Sequence, residues 1–170
     1  MIEVREARVD DAAAMAAVNA AGWRVGYRDL VPHDYLEHLP VARWRREMRG
    51  GLADPRGDSF SRIAEEDGVF AGYCFVAAPG REQREGSRLA ELVALYVEPE
   101  RWGRGIGRAL GQAAIAGAAE REYAELELWT FEGNERALRL YQGLGFVPDG
   151  GRRPFPKTQT PTVRLRRPLP

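Results

Sequence analysis

The sequence contains few of the residues that form disulfides or bind metals. Cys74 is the only cysteine, so it has no partner for an internal disulfide, and its apolar surroundings predict a buried, inert thiol. His33 and His38 are the only histidines, and neither has a cysteine or histidine neighbour at the spacing of metal ligands. We therefore expect neither a structural nor a catalytic metal.

Long apolar runs and an excess of charge of one sign are also absent. No stretch approaches the roughly 20 apolar residues that a membrane-spanning helix needs, and the first residues are too charged for a signal peptide. The 25 basic and 25 acidic residues cancel, so no overall field attracts nucleic acid or anionic lipid. These absences predict a cytoplasmic protein with neither a nucleic-acid nor a membrane partner.

The length and composition predict one ordinary globular domain. The 170 residues are 44% hydrophobic and 29% charged, which is enough to build a substantial core without disulfides. No internal repeat or second core is visible, so we treat residues 1–170 as a single domain.

Hydrophobic periodicity predicts an α/β fold in which helices pack on a mixed sheet. The run LAELVALYV at 89–97 is almost wholly apolar, which is typical of a strand covered on both faces. The expected order is β-α-α-β-β-β-α-β-α-β-β. The elements are strand 2–8, a helix from Asp10 or Asp11 to about Ala21, helical residues 32–39 and 41–49, strands 60–65, 69–78 and 89–97, a helix to about Tyr123, strand 126–130, helix 135–144, and strands that begin at Phe146 and cover 163–166. The expected breaks and loops are 22–32, 50–58, 79–88 and 148–161.

Three alternating glycines at 103, 105 and 107 lead directly into a predicted helix. Residues without a Cβ let the backbone turn sharply and approach a ligand closely. The amide groups of such a turn, together with those of the first helical turn, favour a phosphate group. Arg104 and Arg108 add positive charge. The segment therefore predicts a site for a diphosphate.

Other phosphate-binding loops fit this segment less well. A P-loop requires a Gly-Lys pair, and the chain has none. The dinucleotide fingerprint GxGxxG requires a third glycine, but Arg, Ala and Leu follow Gly107. On this segment alone, a glycine-rich turn without a ligand remains the alternative.

Two motifs resemble those of the GCN5-related N-acetyltransferases (GNAT). The segment WGRGIGRAL resembles their coenzyme A loop, Q/R-x-x-G-x-G/A, with Gly105 and Gly107 at the two small positions and Trp102 where Gln or Arg is typical. The segment NERALRLYQGLGF resembles the signature N-x-x-A-x-x-x-Y-x-x-x-G-F, with Asn134 and Tyr141 at its first two polar positions. The motifs occur in the family's order, and the resemblance extends over residues 2–147.

This resemblance implies the GNAT fold and acetyl-coenzyme A as the cosubstrate. It implies that the strand before the glycines separates from its neighbour, so that backbone groups of Leu95, Tyr96 and Val97 pair with the pantetheine arm. The remaining implied coenzyme-binding residues are Gly103, Arg104, Gly105, Ile106, Gly107, Arg108 and Asn134.

The resemblance also implies the catalytic groups. Tyr141 would be the acid that protonates the leaving thiolate, and the N–H of Val97 would stabilise the oxyanion. Glu91 would be the general base, acting through water, with Glu127 in reserve; a structural role for Glu91 stays an equal alternative. Tyr141 could also simply pack its helix on the sheet.

The acceptor is expected to bind at the parts of the fold that are variable, namely Trp23, Tyr27, Arg28 and the loop 148–161. Trp23 and Tyr27 are four residues apart and share a helical face, so they could equally belong to the core. A small-molecule amine is the favoured acceptor, and a homodimer is left open. The alternatives are a protein lysine or N-terminal acetyltransferase, a coenzyme A-binding sensor without catalysis and, less favoured, a nucleotide-binding oxidoreductase.

Overall fold

The structure is a computed structural model, and it describes residues 1–55, 59–79 and 88–170. The strands are β1 (Ile2–Glu6), β2 (Phe60–Glu66), β3 (Val69–Ala77), β4 (Leu89–Val97), β5 (Glu125–Phe131), β6 (Val147–Pro154) and β7 (Pro161–Pro168). The helices are α1 (Ala12–Gly26), α2 (His33–Glu37), α3 (Val41–Ala53), α4 (Ile106–Glu120) and α5 (Glu135–Gly143), with short 3-10 turns at Val9–Asp11 and Pro99–Arg101. The expected α/β architecture is confirmed, and so is the order of elements, with the second helical region divided into α2 and α3.

One sheet in the order β1-β2-β3-β4-β5-β7-β6 organises the molecule. Its neighbouring strands are antiparallel except for β4 and β5, which run parallel. That parallel pairing covers only Leu89–Glu91 against Glu125–Glu127. Past this junction β4 continues for six residues and β5 for four, and the two strands no longer pair with each other. The sheet is therefore open along the second half of β4.

A bulge in β4 sets which side chains face each layer. Phe75 of β3 pairs with Ala94 and Val76 pairs with Leu92, so Val93 has no partner in the register. An extra residue of this kind bends its strand and shifts the alternation of side chains. Val93 is accordingly 50% exposed although it lies in a central strand.

Helices cover both faces of the sheet. One face packs against α4, with Leu110, Leu126, Leu128 and Phe146 fully or almost fully buried between them. The other face packs against α1 and α3 and contains a cluster of aromatic rings. Cys74 is completely buried, and burial raises the pKa of its thiol to about 12, which agrees with the expected inert role.

Three segments differ from the sequence-based expectation. Helix α1 continues to Gly26 instead of ending near Ala21, because Trp23 on its last turns is buried in the aromatic cluster. Helix α3 continues through Ala53 into the expected loop. The expected loop from Pro148 is largely strand β6, which is exposed and is held by pairing with β7.

The structure tests some of the remaining expectations only in part. Positions 56–58 and 80–87, which belong to expected loops, lie outside the described residues. Among the described residues, no helix is long and apolar enough to cross a membrane. The cytoplasmic location and the single-domain organisation stay predictions.

Candidate active site

A cleft of about 370 Å³ opens where β4 and β5 separate. The glycine turn and α4 form one end, α5 forms a side, and the end of α1 closes the top. The lining residues are Gly22, Gly26, Tyr27, Leu92, Val93, Ala94, Leu95, Tyr96, Val97, Arg101, Trp102, Gly103, Gly105, Gly107, Arg108, Trp129, Thr130, Asn134, Arg136, Ala137, Leu140 and Tyr141.

Most of the expected coenzyme residues meet in this cleft, although the two motifs are far apart in sequence. Leu95, Tyr96, Val97, Gly103, Gly105, Gly107, Arg108, Asn134, Tyr141 and Tyr27 all line it. Arg104, Ile106, Glu91, Trp23 and Arg28 do not. Ile106 is 1% exposed and packs in the core, so only its backbone could reach a ligand.

The backbone of β4 presents alternate peptide groups to the cleft. The N–H of Glu98 donates to the carbonyl oxygen of Ala71 on β3, at 2.9 Å. Since successive peptide groups of a strand point to opposite sides, Tyr96 also faces β3, and its carbonyl oxygen lies against Gly72, where no Cβ could fit. Leu95 and Val97 therefore face the open edge. Tyr96 offers the cleft a side chain, whereas the resemblance had implied its backbone.

The glycine turn has the backbone conformation that the sequence predicted. Gly103 and Gly105 have φ angles of 81° and 90°, in the left-handed region that side chains with a Cβ disfavour. Gly105 is the N-cap of α4. The amides of the first helical turn have no intrahelical acceptor, and with Gly107 and Arg108 they border the cleft. This end of the cleft is therefore suited to an anion.

Two guanidinium groups add positive charge to the same end. Arg108 donates only a long hydrogen bond of 3.5 Å to the carbonyl oxygen of Gly143. The guanidinium of Arg136 stacks 3.3 Å from the centre of the Trp102 ring. Neither group forms an ion pair with a carboxylate of the described chain. Both charges thus remain available to an anionic ligand.

Arg104 is placed differently from the expectation. Its guanidinium lies 3.2 Å from the carboxylate of Glu66 and also donates to the carbonyl oxygen of Glu100. Arg101 shares Glu66, at 2.6 Å. Arg104 therefore fixes the turn from outside. Sequence reasoning missed Arg136, although its place two residues after Asn134 in the second motif could have drawn attention to it.

Three tyrosines meet at the centre of the cleft. The hydroxyls of Tyr96 and Tyr27 lie close enough to interact with each other. Gly22 of α1 makes room for this arrangement, because a Cβ there would lie 2.7 Å from the Tyr96 ring. The Tyr27 ring packs edge-on against Trp23 and Phe131, with both centroid distances 4.8 Å. Tyr27 is thus held rigidly, with its hydroxyl at the cleft.

Tyr141 contributes the third hydroxyl, from helix α5. Its ring packs against Phe146, with centroids 6.0 Å apart, and it is half-buried. Burial raises the pKa of Tyr141 above the ordinary phenol value of about 10. The group consequently keeps its proton at neutral pH and has a hydroxyl to donate, as a proton donor to a leaving group requires. Asn134 begins the same helix, where its Oδ1 accepts from the N–H of Ala137 at 3.2 Å.

Glu91 lies beside the cleft, at the last pair of β4 and β5, opposite Glu127. Burial raises its pKa, the Arg153 charge opposes that shift, and the Glu127 charge adds to it. Glu127 is 6% exposed and lies 3.0 Å from a guanidinium nitrogen of Arg166. Of the two carboxylates, Glu91 is the one without an ion-pair partner among the described residues.

The residues expected to bind the acceptor separate into different environments. Trp23 is 8% exposed and contacts five other aromatic rings, so it belongs to the core. Tyr27 lines the cleft, while Arg28 is exposed outside it. The segment after β6 contributes Phe155, whose ring lies 5.5 Å from that of Trp23. Only Tyr27 is placed to touch a ligand in the cleft.

Comparison with known proteins gives a consistent set of relatives. The model of the acetyltransferase (GNAT) family matches residues 23–146. The uncharacterized N-acetyltransferase YuaI of Bacillus subtilis (strain 168) is 30% identical over 146 residues, 84% of this chain and 78% of that protein. A mycothiol acetyltransferase of Acidimicrobium ferrooxidans is 39% identical over 89 residues, which are 51% of this chain but only 27% of that protein. A PaiA N-acetyltransferase of Thermoplasma acidophilum, solved with coenzyme A, has the same fold, with a TM-score of 0.75 at 18% identity over 96% of this chain and 98% of that one.

Proposed function

The chain belongs to the acetyltransferase (GNAT) family, and from this membership we propose that it transfers the acetyl group of acetyl-coenzyme A to a primary amine of a small molecule. The amine attacks directly, in a ternary complex. The observation that supports this most strongly is the open edge of β4, with the peptide groups of Leu95 and the N–H of Val97 along it and the N-terminus of α4 at its end.

The coenzyme would occupy the cleft from one end to the other. Its diphosphate binds the amides of 103–108, with the charges of Arg108 and Arg136 beside it. The pantetheine arm then extends along β4, where the N–H and carbonyl of Leu95 and the N–H of Val97 offer the hydrogen-bonding groups that an adjacent strand would otherwise use. In this arrangement the thioester reaches the region of Tyr27, Tyr96 and Tyr141.

The chemistry requires a neutral amine, an oxyanion stabiliser and a proton for the leaving sulfur. The amine nitrogen forms a bond to the acetyl carbon, and the carbon–sulfur bond breaks as the tetrahedral intermediate collapses. An N–H at the open edge of β4, that of Val97 or Leu95, stabilises the oxyanion. Tyr141 donates its hydroxyl to the departing thiolate, and Glu91 receives the amine proton through water.

A small-molecule acceptor is favoured over a protein. Relatives named mycothiol acetyltransferase match the chain, and the zero net charge gives no attraction to a charged polymer. Arg153 of β6 and Arg164 of β7 also lie against the ring of Trp129, which lines the cleft. A homodimer stays an untested prediction.

Two measurements test this function. Acetyl-coenzyme A should raise the melting temperature, because it binds only the folded chain, and a panel of amines should then show coenzyme-dependent thiol release. No thermal shift at millimolar coenzyme would overturn the proposed site. A clear shift without thiol release from any amine would instead support a coenzyme A-binding sensor.

A further inference from the structure

Trp129 and Val93 line the cleft. We call the part of the sheet face around these two residues, opposite α4, the groove. On β5, side chains alternate between faces, so Glu127 and Trp129 share the face of the groove while Leu128 enters the opposite core. The bulge of β4 exposes Val93 there. An acceptor that reaches the acetyl group from this side must pass over Trp129.

The charges around the groove are almost all paired. Glu127 lies 3.0 Å from Arg166, and Asp149 lies 2.8 Å from Arg164 and 3.1 Å from Arg166. Glu125 also pairs with Arg166, at 3.1 Å.

Two opposite charges of this face remain without an ion-pair partner in the described part of the chain, namely Glu91 and Arg153. They lie on different strands, β4 and β6. The charge of Arg153 nevertheless lowers the pKa of Glu91 against the effect of burial, so the two groups are within electrostatic reach of each other. This face therefore holds one negative and one positive group that act on each other electrostatically without forming an ion pair.

Arg153 is held in place by its neighbours. Its guanidinium stacks 3.9 Å from the centre of the Trp129 ring, and Arg164 lies 5.4 Å from that ring. The backbone is fixed as well, since the hydroxyl of Thr162 donates to the carbonyl oxygen of Arg153 at 2.6 Å. A guanidinium that stacks by its face keeps its N–H edge free, and that edge matches a carboxylate in a bidentate arrangement.

We propose that the acceptor is an amine that also carries a carboxylate close to its amino group, as a free amino acid does. Arg153 binds the carboxylate, Trp129 positions Arg153, and the amino group is directed towards Glu91 and the acetyl group. This inference rests on the proposed function. It disfavours a diamine, whose second ammonium Arg153 would repel, and a protein lysine, whose amine has no neighbouring carboxylate.

The test compares free amino acids with their carboxamides as acceptors, in the wild type and in Arg153→Ala. The quantity measured is the ratio of kcat/KM for each acid to kcat/KM for its amide. Because the same substrate pair is used throughout, the difference in basicity between the two amines cancels. The substitution should lower this ratio about tenfold or more, since a charge-assisted contact is lost, and Arg153→Glu should lower it further.

Arg152→Ala is the matched control. Arg152 is adjacent and pairs with Glu132 at 2.7 Å, so its removal should leave the ratio unchanged. An equal ratio in the wild type and Arg153→Ala would overturn the inference. It would also be overturned if the protein acetylated other amines but acetylated no free amino acid. These results would leave the proposed function intact, because acetyl-coenzyme A would still raise the melting temperature. A missing thermal shift would overturn both.

Discussion

The indole nitrogen Nε1 of Trp102 donates a hydrogen bond of 2.9 Å to the carbonyl oxygen of Val97. It thereby joins the glycine turn to the end of β4. The guanidinium of Arg136 lies on the other side of this contact, stacked on the indole. Trp102 thus supports the coenzyme site by holding its parts together, which accounts for a Trp where the motif has Gln or Arg.

Trp102→Phe should therefore weaken acetyl-coenzyme A binding. The substitution keeps an aromatic ring for Arg136 but removes the N–H that holds Val97, so the turn and the strand lose their connection. A single hydrogen bond of this kind contributes about 0.5–1.5 kcal/mol, which corresponds to an increase in Kd of about two- to tenfold. Isothermal titration measures it, and an unchanged Kd would show that the contact is dispensable.

Gly105→Val should abolish the thermal shift produced by acetyl-coenzyme A. A branched side chain at a φ of 90° strains the backbone of the turn, and this turn borders the proposed diphosphate site. Gly68→Val is the matched control, because Gly68 has a φ of 76° in a turn with no heavy atom near its Cβ position. Both variants should melt lower than the wild type, but only Gly68→Val should retain the shift. Retention in both would place the diphosphate elsewhere.

Tyr141→Phe should lower turnover by about 10²–10⁴, the usual range for loss of a general acid, while the Kd of acetyl-coenzyme A changes little. The substitution removes only the hydroxyl and keeps the packing on Phe146. Steady-state kinetics and coenzyme titration measure the two quantities. Equal turnover would reduce Tyr141 to a packing residue.

Glu91→Gln should leave the protein at least as stable as the wild type at neutral pH. Burial raises the pKa of Glu91 in the folded chain above its unfolded value of about 4.3. The carboxyl group therefore contributes stability below the unfolded pKa and loses it as the pH rises through the folded pKa. The difference in melting temperature, variant minus wild type, should therefore increase between about pH 4 and neutral pH.

Turnover of Glu91→Gln distinguishes a base from a structural group. A base is needed most at neutral pH, so activity should fall there and recover in part at high pH, where the amine deprotonates unaided. Glu127→Gln is the comparison, and it should melt lower because the Arg166 guanidinium loses a buried partner. A uniform loss of activity across pH, with a lower melting temperature, would assign Glu91 a structural role.

Trp23→Ala should destabilise the fold by about 3–5 kcal/mol, the usual loss for a buried Trp, because five rings surround it.

Tyr27→Phe should behave differently. It keeps the ring but removes the hydroxyl at the cleft, so the KM of the acceptor should rise with little loss of stability. Denaturant unfolding and acceptor kinetics test the pair. An unchanged KM in Tyr27→Phe would remove Tyr27 from the acceptor site.

The sequence alone determined the local features of the coenzyme site. The left-handed turn follows from glycines at 103 and 105, the start of α5 from Asn134, and the order of strands and helices from hydrophobic periodicity. These features depend on residues that are neighbours along the chain, so a pattern of spacing is enough to predict them. The two motifs were sufficient to indicate the family and to place Tyr141 in the cleft.

Tertiary structure decided what depends on contacts between distant segments. The bulge at Val93 determines that Leu95 and Val97, and not the backbone of Tyr96, face the cleft. Pairing of β6 with β7 turns an expected loop into a strand and brings Arg153 onto Trp129.

Contacts between distant segments also decide which charges are available to a ligand. The sequence pointed to Arg104 and not to Arg136, but Glu66, on β2, pairs with Arg104, while Trp102 holds Arg136 at the cleft. Likewise Arg166 neutralises Glu127 and leaves Glu91 without a partner in the described chain. Whether a charge stays available depends on the partner that folding brings near it. Residue type and local spacing do not predict that partner.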